Sequence, residues 1–260
     1  MSGTITVLDR GPVRIHTYVA PDDSVHVTTH LIETPNRIIA VDGQFLAGYA
    51  DEVVSYARSL GKPLDRLIVT HAHPDHYYGA ARFGAPIHAL AAVRDQIAAL
   101  GDAQDPTGAP VLAADVTPTV EVVPGTEVVD GIPFVFEAYA GGEAADELVI
   151  KLPAQRVLVA QDLVYHDIHL FLGNNDIAGW RQALDKLAAD GPYDVVLAGH
   201  GAPAGPEVFA ELRQYLDDAG VLLVDDGEAY KKAIVGRYPN HGGPLLIDIA
   251  NGYLFGTAHS

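Results

Sequence analysis

Apolar and polar residues alternate through the first 45 positions in the two-residue rhythm of strands. The runs are TITVLD, VRIHTYV, VHVTTHLIET and RIIAVDG, separated by Gly, Pro and Asp turn signals. They predict a meander. The rhythm then becomes helical over Gly48–Leu60, where Val53, Val54, Ala57 and Leu60 share a face and Gly61 and Pro63 end the helix. The buried strand LDRLIVT follows and runs straight into THAHPDHYYG at Thr70–Gly79. Next come a short strand at Pro86–Leu90, an Ala-rich helix to Leu100, and a Gly/Pro/Asp loop from Gly101 to Pro110 that reads as a lid or pocket wall.

The second half repeats this style. TVEVV, TEVVDGIPFVFEAYA, DELVIKLP and RVLVAQD read as strands, with VDGIP a tight turn. Ile177, Trp180, Leu184 and Leu187 place a helix over Ile177–Ala189, DVVLAGHG is a further strand opening into a loop, and more helices lie within Pro206–Gly236. Strands followed by helices thus occur twice, and each half has a polar loop at the end of an apolar strand. That order predicts an α/β fold. Two such halves packed sheet to sheet, with helices outside, form a four-layer αβ/βα sandwich. No linker-like composition interrupts the chain, so a single domain over residues 1–260 is expected.

Composition narrows the function. Asp and Glu outnumber Lys and Arg by 34 to 16, without a basic stripe, which argues against nucleic acid as a partner. Hydrophobic residues reach 48% and no low-complexity tract is present, so the chain is globular. The N-terminus lacks a signal-peptide pattern, and no apolar run approaches the roughly 18 residues of a membrane span. A cytoplasmic protein with a small-molecule substrate and no membrane partner is expected. The absence of cysteine excludes disulfides, thiolate ligands and a cysteine nucleophile.

Three histidines and an aspartate occupy six positions, His71 to His76, on a loop after a strand. Alternate side chains there project to two sides, so His71, His73, Asp75 and His76 can supply ligands to two ions a few ångströms apart. A loop offers only part of such a shell. Asp162 in LVAQDLV and His200 in VLAGHGAP, both at the ends of hydrophobic strands, are candidates for the rest.

With these residues together, THAHPDH resembles the HxHxDH signature of the metallo-β-lactamase superfamily, and Val41–Gly43, Asp162 and His200 fall in the order that family would give. The resemblance implies the sandwich fold and a dinuclear site. His71 and His73 would hold the first ion, Asp75, His76 and His200 the second, and Asp162 would bridge both together with a hydroxide. It also implies a third histidine on the first ion, but here that stretch reads GGEAADELVIKLP. Counting back from LVIKLP puts Glu143 in the slot, with Asp146 and Glu147 as alternatives, and alkylsulfatases look similar in using a glutamate there. Asp75, Asp162, Glu143 and one hydroxide would balance two divalent cations, which tilts preference toward harder ions such as manganese or iron, while zinc remains the default expectation for the two ions.

His166 and His169 follow Asp162 and are candidates for acid or substrate-positioning groups. Asp42 would sit behind a ligand histidine and fix its tautomer, or form a turn. Tyr77 and Tyr78 read as packing residues. His16, His26, His30, His88, His241 and His259 lack motif context and read as structural. The expected activity is metal-dependent hydrolysis of a small, neutral or weakly charged ester, lactone or related acyl compound, with Asp75 handling the proton. An iron-dependent dioxygenase or redox enzyme on the same scaffold, or a binding protein with a degenerate site, are the rival readings.

Overall fold

In the computed structural model, residues 1–224 and 226–256 are described, and His259 lies outside them. Strands β1 (Thr4–Arg10), β2 (Val13–Val19), β3 (Thr28–Glu33) and β4 (Ile38–Val41) form the expected antiparallel meander. Helix α1 (Ala47–Ser59) returns the chain so that β5 (Leu64–Ile68) lies parallel to β4. After the short helix α2 (Pro74–Tyr77) come β6 (Ile87–Ala89) and α3 (Ala91–Leu100). The Gly101–Pro110 loop is closed by a two-stranded hairpin, β7 (Ala103–Gln104) with β8 (Pro110–Val111). Helix α4 (Ala113–Val116) and β9 (Val120–Glu121) complete a seven-stranded sheet ordered β1-β2-β3-β4-β5-β6-β9.

The second sheet holds β10 (Gly125–Val129), β11 (Ile132–Ala140), β12 (Asp146–Leu152), β13 (Val157–Tyr165) and β14 (Val195–His200), in that order. VDGIP makes the tight turn its composition requires. Val129 pairs with Ile132, leaving Asp130 and Gly131 at φ of 52° and 81°, the left-handed pair of a two-residue hairpin loop. Helix α5 (Ile177–Ala189) crosses over to bring β14 parallel to β13, and α6 (Val208–Leu222), α7 (Gly227–Arg237) and α8 (Leu245–Leu254) follow. Helix α8 lies beyond the Pro206–Gly236 span in which the pattern placed the last helices.

Alternation along β13 and β14 explains the layering. Val157, Val159, Val195 and Leu197 join the core shared with the first sheet, packed with residues such as Ile15, Leu31 and Phe134. Their neighbours Leu158, Ala160, Val196 and Ala198 face Trp180, Leu184, Leu187, Leu212 and Leu216 of α5 and α6. A sheet covered on both faces needs apolar side chains on both, so VLVAQDLVY is buried without a break. Each such aliphatic side chain contributes about 1.5–3 kcal/mol by leaving water. The result is the four-layer αβ/βα arrangement. Its polar strand ends, after β5, β13 and β14 and before β12, converge on one rim.

Candidate metal centre

Asp42, just after β4, organises the rim. It adopts φ of 62° and its carboxylate accepts from Thr70 N at 2.8 Å, Thr70 Oγ1 at 2.9 Å, His76 Nδ1 at 2.8 Å and Gln161 Nε2. The loop between β5 and α2 is thereby fixed from below. Pro74 opens α2 with φ preset for a helix, at a position where no N–H is needed. Gly43 N donates to His76 O and Gly79 N to Gln44 O, and the two segments lie so close that a Cβ on Gly79 would strike Gly43 O and Ala50 Cβ. Asp162 reaches the same space through an irregularity. Register shifts on either side of Gln161, itself at φ of 43°, release the β13 ladder. Across from it, a side chain on Gly199 would overlap the Asp162 carboxylate.

The hydrogen-bond network assigns the tautomers of three histidines. Thr70 Oγ1 donates to Asp42, so it accepts from His71 Nδ1 at 3.0 Å. Asp42 accepts from His76 Nδ1, and Val25 O accepts from His200 Nδ1 at 2.7 Å. Each ring's Nε2 is therefore left as a lone-pair acceptor, and His71 Nε2, His76 Nε2 and His200 Nε2 are all buried without a hydrogen-bond partner. They face carboxylates. His76 Nε2 is 3.2 Å from Asp162 Oδ1 and 3.4 Å from Asp75 Oδ2, His200 Nε2 is 3.2 Å from Asp162 Oδ2 and 3.3 Å from Asp75 Oδ2, and His71 Nε2 is 3.7 Å from Asp162 Oδ2. His73 presents Nδ1 instead, 2.9 Å from Glu143 Oε1.

Acceptors facing acceptors in a buried space need a proton or a cation between them, and the donor set fits metal ions. Ligand atoms of His71, His73, Glu143 and Asp162 lie within 4.8 Å of one another, as do those of Asp75, His76 and His200. Asp42 groups similarly with His71 and His76, but its oxygens already serve the donors named above. The titration behaviour has the same origin. Burial pulls His200 down, yet Asp162 and Asp75 outweigh it and push the ring up to about 10. Burial also opposes charge on His76, and Asp162, Asp75 and Asp42 raise it well above its ordinary value. Asp75 and Asp162 are held well below theirs, because neighbouring imidazoles overcome the cost of burial. Burial raises Glu143 to about 7 against the pull of His73.

The structure separates the three acids before and within β12. Glu143 enters the cluster. Asp146, paired with Ala140 in the β11 register, accepts from Gln96 of α3 at 2.7 Å. Glu147 is buried behind the Glu143 loop, where its Oε1 accepts from Ala144 N at 3.1 Å and burial raises its pKa well above the usual carboxylate range. His166 and His169 are not brought into the cluster. His166 Nδ1 donates to Ala202 O, and the buried His169 ring bonds Tyr215 OH and packs on His241, because β13 continues to Tyr165 and the following loop turns toward α6. Among the histidines without motif context, His16, His26 and His30 bond Glu33, Asp22 and Thr17.

Three residues of this region escaped the sequence reading. Tyr165 stacks on His200 at 4.6 Å, and its hydroxyl donates to Asp162 Oδ2 at 2.9 Å and lies 3.5 Å from Glu143 Oε1. Phe171 meets the His73 ring edge-on at 5.3 Å, and Asn174 Nδ2 donates to Glu143 O. Tyr165 had one signal, its place three positions after Asp162 on a strand that stays buried. Phe171 and Asn174 had none.

A family model described as the metallo-beta-lactamase superfamily matches residues 25–200, which contain the whole cluster. The chain belongs to this superfamily. Among curated members, it is similar to an alkyl/aryl-sulfatase of Saccharomyces cerevisiae, 24% identical over 221 residues covering 66% of this chain and 34% of that protein. It is also similar to a linear primary-alkylsulfatase of Pseudomonas sp., 25% identical over 241 residues covering 75% of this chain and 45% of that protein. The chain therefore spans less than half the length of either sulfatase. Solved superfamily structures show the same fold. A metallo-beta-lactamase from Pontibacter korlensis superposes with a TM-score of 0.65 at 22% identity, over 83% of this chain and 100% of that one. The metallo-beta-lactamase FIM-1 from Pseudomonas aeruginosa, in its mono-zinc form, gives 0.63 at 22% identity, over 85% and 97%.

Proposed function

We propose that this protein is a metal-dependent hydrolase acting on a small, neutral or weakly charged ester, lactone or related acyl compound. The observation that carries the reading is that two groups of buried ligand atoms meet at Asp162. His71, His73 and Glu143 would hold one divalent ion, Asp75, His76 and His200 a second, with Asp162 shared between them. When bound, such a pair supplies hydroxide at neutral pH and polarises the group under attack. The chain's residues do the rest. Asp75, on the more open side of the cluster, is placed to orient the nucleophile and pass a proton to the leaving group. Tyr165 orients Asp162 through its hydroxyl, and Asp42, Thr70 and Val25 O hold three imidazoles in the ligand tautomer.

Among the described residues, the ion pairs of Asp75, Asp162 and Glu143 are to histidines alone, and no Lys or Arg pairs with these carboxylates. This supports a neutral substrate. Sulfate esters are the second reading, favoured by the names of the two sulfatase relatives together with Glu143 in the cluster.

Glu143 tests the assignment. Glu143→Ala should lose one metal selectively, since His71 and His73 alone leave that ion short of ligands, while Glu143→His should restore occupancy and shift preference from manganese or iron toward zinc. Asp146→Ala and Glu147→Ala should keep both ions. Retention of two metals in Glu143→Ala, with loss in either control, would move the ligand to that control's position. A panel of esters, lactones and alkyl sulfates run alongside separates the two substrate readings.

A further inference from the structure

Of the cluster side chains, His73 is the most open, 26% exposed, and the feature covering it is aromatic. Phe171 lies edge-on against the His73 ring, and Tyr253 of α8 lies edge-on against Phe171 at 5.7 Å. The Phe171 ring is placed deliberately by its loop. A Cβ on Gly173 would strike it, and Asn174 ties the same loop to Glu143 O.

Helix α8 continues this surface. Leu246, Ile247 and Ala250 are buried against the body of the protein. The flank beside that buried face, where an ordinary surface helix turns polar, carries Leu245, Ile249 and Tyr253, which are 47%, 38% and 66% exposed. At spacings of four residues they form one stripe, roughly 12 Å long at the helical rise. Its Tyr253 end touches Phe171, so the stripe begins at the mouth of the metal centre.

We propose that the substrate carries an apolar arm, an alkyl or aryl group, which packs against Phe171 and Tyr253 and runs along Ile249 and Leu245. The inference rests on the hydrolase reading for what happens at the metal end, and it makes these four residues determinants of chain-length specificity. The arm is chosen as occupant because the stripe is continuous with the aromatic cover of His73.

The test uses the metal-loaded full chain and two probe series, n-alkyl hydroxamates measured by calorimetric binding and acyl esters measured by hydrolysis, each from two to ten carbons. Hydroxamate affinity should rise about two- to fourfold per added methylene until the stripe is covered. Tyr253→Ser and Ile249→Ser should collapse the ratio of long-chain to short-chain affinity, with metal content unchanged, whereas Val128→Ser on the distant strand β10 should preserve it. A hydroxamate series that binds independently of length, or does not bind at all, overturns the arm. So does a length dependence that survives both α8 substitutions, or a dimer that dissociates in Ile249→Ser while the ratio stays flat. Length-dependent hydroxamate binding without hydrolysis of any ester leaves the arm standing and removes the hydrolase reading. Ester hydrolysis that ignores chain length does the reverse.

Discussion

Two carboxylates are buried to nearly the same extent in this protein, Glu33 at 2% and Asp162 at 1% exposure, and their surroundings are opposite in kind. Glu33 is met by donors. Arg14 approaches it at 2.7 Å, Lys62 at 2.8 Å and His16 at 2.9 Å, with Tyr56 OH behind His16. Burial alone would raise its pKa, but hydrogen bonds from Arg14, Lys62 and His16 outweigh that and lower it to about 2. Asp162 is met by the lone pairs of His71, His76 and His200 and by the neighbouring Asp75 and Glu143, with Tyr165 OH its one hydroxyl donor. The first knot is complete within the protein. The second leaves acceptors facing one another, to be joined by protons or metal ions, and this contrast distinguishes a structural ion network from a candidate metal centre.

The contrast breaks most visibly if Asp162 loses its charge. Asp162→Asn should reduce metal content and cut turnover by at least about a hundredfold, since the residue proposed to be shared between the two ions is affected. Metal content and turnover near those of the parent would make Asp162 another Glu33. A step outward, Asp42→Ala removes the acceptor for His76 Nδ1–H without touching a ligand atom. Metal affinity or activity should then fall about 10- to 100-fold, read by competition with a chromophoric chelator. Affinity within a factor of two of the parent would show that Asp42 serves only the backbone turn.

The Glu33 network gives a smaller effect of another kind. Glu33→Gln should cost about 1–3 kcal/mol of stability, discounted because Arg14 is half exposed, and should leave metal content unchanged. Its pH dependence has a definite sign. The folded-state pKa lies below the ordinary value of 4.5, so the stabilisation is complete above that value and is lost as pH falls through it toward about 2. The parent and Glu33→Gln unfolding curves should therefore converge over that acid range. Curves that stay parallel would remove Glu33 as a source of acid sensitivity.

Legibility in the sequence followed how local each signal was. The meander, the VDGIP turn and helix α5 were readable because period and turn chemistry act over a few residues. The loop His71–His76 was readable for the same reason, and Asp162 and His200 because each follows an apolar run. Glu143 was not separable from Asp146 and Glu147 by counting, since β12 begins at Asp146 and the choice depends on a turn before it and on register against β11. His166 and His169 lie outside the cluster, since proximity in sequence to Asp162 says nothing of where a strand ends. Tyr165 prolongs β13, and the loop then delivers Phe171 to the cluster and His169 to Tyr215. Helix α8 was missed because its apolar residues spread around more than half of its circumference, which blurs the periodicity that marks a surface helix.

On the proposed reading, the acceptors around Asp162 are arranged for cations. Elemental analysis of the full chain, produced in medium supplemented with zinc, manganese and iron and purified without chelator, tests it directly. About two transition-metal ions per chain are expected in the parent and in Glu33→Gln, with fewer in Asp162→Asn. Trace metal in the parent, or equal metal in the parent and Asp162→Asn, would contradict it.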